Sequence, residues 1–227
     1  MNDNGLVIRN MNFSYKDHII FQSVNYEFQK GKVYILIARN GAGKSTLFKL
    51  ISNEYKDYEG SIKVSPSISV HQQNPVYFDD MTVKENIECF LYLLGTSLKT
   101  EEIIQYYELE EIQKKVAKKL SGGEKQKLYL AITGLKNDEV YLYDEADSAL
   151  DPVGRKFYYS ILKKRAAESK IVIAITHHIT EAINYADEIC FLFNKTLNKI
   201  SISDLPDNFL ELNEDKMLEY LEGSVQV

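Results

Sequence analysis

A glycine-rich stretch, residues 38–46, has the residue types and the spacing that phosphate binding requires, and it reads Ala-Arg-Asn-Gly-Ala-Gly-Lys-Ser-Thr. Gly41 and Gly43 would let backbone N–H groups approach a phosphate closely, and the N-terminus of a following helix would add partial positive charge. The ammonium group of Lys44 can reach the β- and γ-phosphates, and the hydroxyl of Ser45 can bind Mg²⁺. The stretch therefore predicts a nucleoside triphosphate site with contacts from Asn40, Gly41, Ala42, Gly43, Lys44, Ser45 and Thr46.

The flanking sequence supports this prediction against the alternative, an ordinary glycine-rich turn. The apolar run 33–37 predicts a buried strand, and the apolar residues of 47–51 are spaced as on one helix face. Ala38 departs from the usual pattern, which begins with glycine. A negative φ at Ala38 would make its methyl group harmless, whereas a positive φ would strain the turn.

Asp144 and Glu145 follow a second apolar segment, 139–143, which predicts another strand. Ligands of open α/β sheets bind beyond the carboxyl ends of the strands, and these two acids would lie there. Asp144 can hold Mg²⁺, and Glu145 can orient or deprotonate the water that attacks the γ-phosphate. Two solvated loop acids are the alternative, but a phosphate-binding loop earlier in the chain favours catalysis.

Segment 120–126, Leu-Ser-Gly-Gly-Glu-Lys-Gln, begins a predicted helix with two successive glycines. Ser121 and Glu124 form a capping box, which explains the serine and the glutamate but not the glycines between them. Gly122 and Gly123 would each weaken the helix by up to ~1 kcal/mol relative to Ala. They are useful where a phosphate must approach bare N–H groups. Because the chain already has one phosphate-binding loop, we expect two copies of the protein to share each nucleotide.

The composition limits the class of protein. A chain of 227 residues predicts one large domain with a substantial core. The formal net charge of −6 argues against a nucleic-acid-binding surface, so we expect no nucleic acid partner. Cys89 and Cys190 lie far apart without His or Cys at metal-ligand spacing, which is typical of structural thiols in a reducing compartment. Because no apolar run reaches the ~20 residues needed to cross a bilayer, another subunit would have to supply any membrane part.

The remaining pattern predicts an α/β fold with a mostly parallel sheet and an antiparallel β region. Alternation in 6–28 predicts a strand pair, and 60–73 is expected to be a compact hairpin turned at 65–67. Thr82 and Glu85 form a capping box for a helix that ends at Gly95. The continuous apolar run 170–176 indicates a parallel strand covered on both faces.

The order of the elements predicts a single domain, 1–227, with a helical insertion. Between 80 and 135 only helices are expected, whereas strands and helices alternate in 1–79 and 136–227. The expected helices after the insertion are 152–167, which has Asp151 as its N-cap, 179–185 and a terminal helix, 213–221. Strand 188–193 and a final hairpin that includes 197–202 complete the pattern.

In this order the motifs resemble those of the ATP-binding subunit of an ABC transporter, and the resemblance covers nearly the whole chain. The matching positions are 38–46 for the Walker A loop, Gln73 for the Q-loop, 120–126 for the LSGGQ signature, 141–145 for Walker B, 148–151 for the D-loop and His177 for the H-switch. Tyr15 takes the place of the aromatic residue that stacks on adenine. The resemblance implies a P-loop NTPase core with an antiparallel β subdomain and an inserted helical subdomain.

The resemblance also implies a role for each residue. Lys44 and the loop amides would bind the phosphates of ATP. The Mg²⁺ ligands, direct or through water, would be Ser45, Gln73 and Asp144. Glu145 would be the general base, and His177 would contact the γ-phosphate. The residues expected to take part in catalysis are thus Glu145, His177, Gln73 and Lys44.

The signature and the D-loop would act across a dimer interface. Ser121, Gly122 and Gly123 would reach the nucleotide held by the opposite subunit, and Asp151 would face across the dimer. Three assignments have alternatives in the sequence: Gln72 for Gln73, His178 for His177, and an ordinary strand aromatic for Tyr15. Ala146 stands where the family usually has Pro, which would loosen the turn after Glu145.

The expected function is ATP binding and hydrolysis by a head-to-tail dimer that powers a separately encoded integral membrane permease. The second ATP-binding subunit would be another copy or a related chain, in the cytoplasm at the inner face of the cell membrane. The lack of a fused membrane domain and of an extended C-terminal regulatory domain favours a small efflux system. An ABC-type ATPase that acts on a non-membrane machine is the alternative, and a binding module without hydrolysis is a third. The apolar segment 75–78 would contact the permease or pack within its own subdomain.

Overall fold

The computed structural model describes residues 5–64, 67–71, 76–148 and 150–225. The strands in these ranges are β1 (Leu6–Tyr15), β2 (His18–Phe28), β3 (Lys32–Ile37), β4 (Glu59–Lys63), β5 (Ile68–His71), β6 (Val140–Asp144), β7 (Ile171–Ile175), β8 (Glu188–Phe193) and β9 (Thr196–Ile200). The α-helices are α1 (Lys44–Ile51), α2 (Val83–Leu94), α3 (Thr100–Tyr106), α4 (Gly122–Thr133), α5 (Pro152–Ala167), α6 (Ile179–Ile183) and α7 (Glu214–Val225).

The larger sheet is mostly parallel, as the sequence predicts. Its strand order is β5-β6-β7-β3-β8-β9, and every neighbouring pair is parallel except β8 and β9. All residues of β7 are buried, as are those of β3 after Lys32, because helices or the second sheet cover both faces. The carboxyl ends of β3, β6 and β7 therefore meet at one edge, where the predicted site residues follow them.

The smaller sheet is antiparallel and has the order β2-β1-β4. It confirms the strand pair predicted for 6–28, but the hairpin predicted for 60–73 is wrong. β4 pairs with β1, whereas β5 pairs in parallel with β6 in the larger sheet. Alternation identifies a strand without identifying the neighbour to which its N–H and C=O groups will bond, so two short strands beside a turn signal wrongly predict a hairpin. Residues 65 and 66, at the predicted turn, lie outside the described residues.

The two faces of the larger sheet are covered by two different apolar clusters. On one face Leu36 and Ile173 pack with Phe48 of α1 and with the smaller sheet, so α1 is held between the two sheets. On the other face Tyr143 and Val172 pack with α4 and α5. The alternation of side chains along each strand gives every strand one set of contacts on each side. The phosphate-binding loop and α4 consequently belong to different clusters.

Residues 80–135 contain the helices α2, α3 and α4. The box of Thr82 and Glu85 starts α2, and Gly95 ends it with a φ of 61°, both as predicted. Only helices are expected between 80 and 135, but segment 109–120 forms turns that end in a short 3₁₀ helix at Ala117–Lys119, and Val116 makes an isolated bridge with Thr82. Within the described ranges, none of the helices has the length and apolar character needed to cross a bilayer.

Candidate functional site

The loop between β3 and α1 needs glycine at two positions. Gly41 has a φ of 78° and Gly43 a φ of 111°, in the left-handed region that side chains disfavour. A Cβ atom on Gly43 would also lie 2.7 Å from Cγ2 of Ile20, because this side chain of the smaller sheet packs directly against the loop. Gly43 is the N-cap of α1, and the loop therefore presents its amides at a helix N-terminus.

Ala38 causes no backbone strain, since it is not among the described non-glycine residues with positive φ. The carbonyl oxygen of Ala38 accepts a hydrogen bond of 3.1 Å from Nζ of Lys44. Burial lowers the pKa of Lys44, and the nearby carboxylates of Glu145 and Asp144 act in the opposite direction. The ammonium group thus lies against the loop and near the two acids at the end of β6.

Asp144, the last residue of β6, has a hydrogen bond with the side chain of Ser45 at the start of α1. Partial burial raises the pKa of Asp144 above its ordinary value, although the bond to Ser45 and the charge of Lys44 oppose this rise. A carboxylate and a hydroxyl are the hard oxygen donors that Mg²⁺ prefers, alongside phosphate oxygens. The donor set at this position therefore fits a magnesium ion.

Glu145 has a φ of 51°, an uncommon conformation for a residue with a side chain. Its amide donates to the carbonyl oxygen of Ile175 at 3.0 Å, and its own carbonyl accepts from the amide of Ser148 at 3.1 Å. Oε1 of Glu145 lies 2.9 Å from Nε2 of His177, the second residue after β7. The turn therefore directs a carboxylate toward an imidazole at the sheet edge that also carries Lys44.

Tyr15, at the end of β1, lies beside the same loop. Its hydroxyl is 3.3 Å from Oγ1 of Thr46, and its ring makes edge contacts with Phe13 and Tyr55. The side chain remains 42% exposed, which leaves part of the ring open for stacking. Gln73 lies outside the described residues, so its expected place in the site stays a prediction.

Ser121, Gly122 and Gly123 begin α4 with the predicted capping box. No described residue accepts a hydrogen bond from the amides of Gly122 or Gly123. A Cβ atom on Gly123 would have no described neighbour within 4 Å, so no contact in the described part of the chain requires glycine there.

The structure brings together only part of the predicted site. Ala38, Lys44 and His177 line one cavity of about 240 Å³. Ser121 and Gly123 instead line a different cavity of about 540 Å³, which they share with Asp151. The start of α4 is therefore an exposed second element that the loop of the same chain does not complete.

Two further interactions at the site were not found from the sequence. Asp147 is buried two residues after Glu145, and its Oδ2 accepts from Oγ1 of Thr176 at 2.5 Å and from the hydroxyl of Tyr159 at 2.6 Å. Arg39 in the loop makes a paired ion contact with Glu222 of α7, at 2.5 and 3.1 Å. A buried position for Asp147 and a partner far along the chain have no local sequence signal.

Comparison with known proteins supplies independent findings. The family model described as ABC transporter matches residues 21–148. The energy-coupling factor transporter ATP-binding protein EcfA1 of Fusobacterium nucleatum subsp. nucleatum is 31% identical over 216 residues, which cover 82% of this chain and 78% of that protein. The lantibiotic transport ATP-binding protein SrtF of Streptococcus pyogenes is 29% identical over 94% of this chain and 97% of its own length.

Solved structures give the same fold. One described as the ATP binding subunit of an ABC transporter superposes with a TM-score of 0.77 at 21% identity, over 95% of this chain and 98% of that chain. A putative metal-chelate type ABC transporter in an inward-facing conformation has a TM-score of 0.75 at 22% identity, over 96% of this chain and 90% of that chain. At such identities the likeness concerns the fold, which matches the prediction of a mostly parallel sheet with an antiparallel subdomain.

Proposed function

This chain belongs to the ABC transporter family as an ATP-binding ATPase subunit, and from that premise we propose that it hydrolyses ATP as a head-to-tail dimer. In the dimer each nucleotide would lie between the loop 38–46 of one copy and the start of α4 of the other. The observation that carries the proposal is the pair of open amides at Gly122 and Gly123, which no described residue of the chain satisfies. Amides at a helix N-terminus are donors suited to a phosphate.

Within one such site, separate residues would bind the phosphates, the base and Mg²⁺ and act on the attacking water. Lys44 and the loop amides would bind the phosphates, and Tyr15 would stack on the base. Ser45, Asp144 and Gln73 would hold Mg²⁺, which supplies neutralising charge to the β- and γ-phosphates. Because Glu145 lies against His177, its carboxylate is oriented to accept a proton from an attacking water, while the imidazole stays at the γ-phosphate end.

Steady-state ATP hydrolysis by Glu145→Gln tests the catalytic part of the proposal. We expect the rate to fall by at least ~100-fold, since general-base catalysis typically contributes 10²–10⁴-fold. The matched control is Glu59→Gln, an exposed glutamate at the start of β4, which should retain the full rate. Equal rates for the wild type and Glu145→Gln would refute the role of Glu145.

We propose further that the dimer powers a separately encoded permease of a small efflux system, at the cytoplasmic face of the membrane. The lantibiotic transport protein, which matches over nearly its full length, supports this choice of system. Val76 and Phe78 are 67% and 43% exposed and offer apolar surface next to the proposed helical subdomain, 80–135. The core and antiparallel subdomain would then comprise 1–79 and 136–227.

Isolation of the native complex tests whether the chain associates with a membrane permease. We expect the chain to be recovered from solubilised membranes with an integral membrane protein, and ATP hydrolysis to drive outward movement of cargo in vesicles reconstituted with both. Recovery only with ribosomes or DNA would favour the other candidate, an ATPase of a non-membrane machine, although the net charge of −6 opposes nucleic acid binding.

A further inference from the structure

The turn that carries Glu145 receives a hydrogen bond from the helix that carries the open amides. Nε2 of Gln126, a residue in the second turn of α4, donates to the carbonyl oxygen of Ala146 at 2.6 Å. The same nitrogen lies 3.4 Å from Nε2 of His71. A glutamine amide has two N–H groups, so it can serve both acceptors when the proton of His71 is on Nδ1.

His71 ends β5 and is only 2% exposed. Its ring packs against Tyr129 of α4, with centroids 4.1 Å apart, and against Tyr143 of β6, at 5.5 Å. Burial keeps the imidazole neutral by lowering its pKa to about 3. Gln126 is thus fixed between a strand end, a helix and the turn after β6, and its amide has little freedom to move.

The turn after β6 needs such support. Glu145 is in the left-handed region, where a residue with a side chain remains only when its surroundings hold it. Ala146, unlike proline, does not fix its own backbone φ. Within this turn Thr176 and Tyr159 hold the side chain of Asp147, whereas Gln126 holds the backbone carbonyl of Ala146, the residue directly after Glu145.

We propose that Gln126 is a positioning residue for Glu145, and that its bond to the Ala146 carbonyl makes the orientation of the carboxylate depend on the position of α4. The inference rests on the proposed function, in which Glu145 is the general base and α4 contacts the nucleotide of the second copy. A shift of α4 when that contact forms is passed to the Glu145 turn by one hydrogen bond. Hydrolysis is therefore favoured when the start of α4 is in place.

Two substitutions separate the hydrogen bond from packing. Gln126→Met keeps the length of the side chain and removes the donor, and Gln126→Glu keeps the shape and places an acceptor opposite the carbonyl of Ala146. We expect kcat to fall by ~10- to 100-fold for Gln126→Met, and further for Gln126→Glu, because one misplaced catalytic group costs about that much. The KM for ATP should change little, since no described contact joins Gln126 to the nucleotide loop, and the melting temperature should fall only by the modest amount that the loss of one hydrogen-bond donor causes.

Gln113→Met is the matched control. Its side chain also makes one hydrogen bond to a backbone carbonyl, that of Glu110 at 3.0 Å, but no described contact joins it to β6. It should leave kcat unchanged. A fall in stability and ATP affinity in parallel with kcat in both Gln126 variants would overturn the inference, because it would indicate a merely structural role.

The Glu145 and Gln126 variants together distinguish failure of the positioning role from failure of the proposed function. Loss of hydrolysis in Glu145→Gln with an unchanged kcat in both Gln126 variants would refute the positioning role and leave the proposed function intact. Full hydrolysis by Glu145→Gln would refute the function itself, whatever the Gln126 variants do.

Discussion

Helices α2 and α4 begin with the same type of four-residue capping box, yet the amides inside the two boxes differ in their acceptors. In α2 the Thr82 hydroxyl accepts from the amide of Glu85 at 3.2 Å, and in α4 the Ser121 hydroxyl accepts from that of Glu124 at 3.3 Å. In return the N-cap amides of Thr82 and Ser121 donate to the carboxylates of these glutamates, at 2.7 Å and 2.8 Å. The two boxes therefore share the same reciprocal pair of hydrogen bonds, and the main difference lies in the two residues inside them.

In α2 those two residues are satisfied by their own chain. The amides of Val83 and Lys84 donate to the carbonyl oxygens of Lys115 and Gln113, at 3.0 and 2.9 Å. In α4 the corresponding amides, of Gly122 and Gly123, have no acceptor among the described residues. The first-turn amides of α2 are therefore satisfied within the chain. Those of α4 are open to an acceptor from outside the described residues.

The largest difference in ATP turnover between the two helix starts is expected when the second residue inside each box is replaced by aspartate. Gly123→Asp should lower ATP turnover by at least ~100-fold, because a carboxylate would face the phosphates and compete for the open amides. Folding should survive, since Asp suits a first helical turn. Lys84→Asp, the matched change in α2, should leave turnover within about twofold. Steady-state hydrolysis and thermal melting measure both effects, and equal turnover in the two variants would remove the distinction.

Removal of the N-cap side chains should separate stability from activity. Thr82→Ala and Ser121→Ala should each lower the free energy of unfolding by about 1 kcal/mol, as loss of an N-cap does elsewhere. Only Ser121→Ala should also reduce turnover, by ~10-fold, since its hydroxyl would lose a phosphate contact. Urea unfolding and ATPase assays on the two variants give the comparison. A tenfold loss in Thr82→Ala would indicate that α2 also takes part in the site.

The smallest effect concerns the two glutamates of the boxes. The pKa of Glu124 is lowered first by Lys115 and then by the amide of Ser121, whereas that of Glu85 is lowered first by the amide of Thr82. Each glutamate therefore adds stability above its ordinary pKa, and this is lost as pH falls through the lowered value.

Acid titration of Glu124→Gln and Glu85→Gln in low and high salt checks this difference. Both variants should lose less stability than the wild type as the pH falls below about 4.5. Salt should shrink the difference for Glu124→Gln more, because its ion pair with Lys115 is screened and a backbone bond is not. An equal salt response in both variants would contradict the conclusion that Lys115 is the main stabilising partner of Glu124 and a backbone amide that of Glu85.

The sequence predicted the features that depend on neighbouring residues. The glycines of the loop, the two capping boxes and the ends of two strands are local patterns. The structure has the glycines and the boxes at the predicted positions, and it ends β6 at Asp144 and β7 at Ile175, each within one residue of the prediction. The pairing of β4 and β5 could not be predicted, because the choice of sheet depends on strands far along the chain.

Side-chain partners separated in sequence were also beyond prediction. Gln126 and Ala146 meet only because α4 packs on the face of the sheet that β6 presents to it. Arg39 and Glu222 meet because α7 returns to the loop. Residue types alone carry no signal for either contact, whereas the order of the motifs carries the family resemblance, which implies a composite site.

The central claim is that each nucleotide site uses the loop of one copy and the α4 start of another, and mixing two inactive variants tests it most directly. Lys44→Ala removes the loop function and Gly123→Asp the α4 function. A mixed dimer of the two would still contain one intact composite site. Single-turnover hydrolysis by an equimolar mixture should therefore recover to about a quarter of the wild-type amplitude, while each variant alone stays inactive. No recovery, with mixed dimers present, would contradict the claim, because both variants would then damage a site contained in one chain.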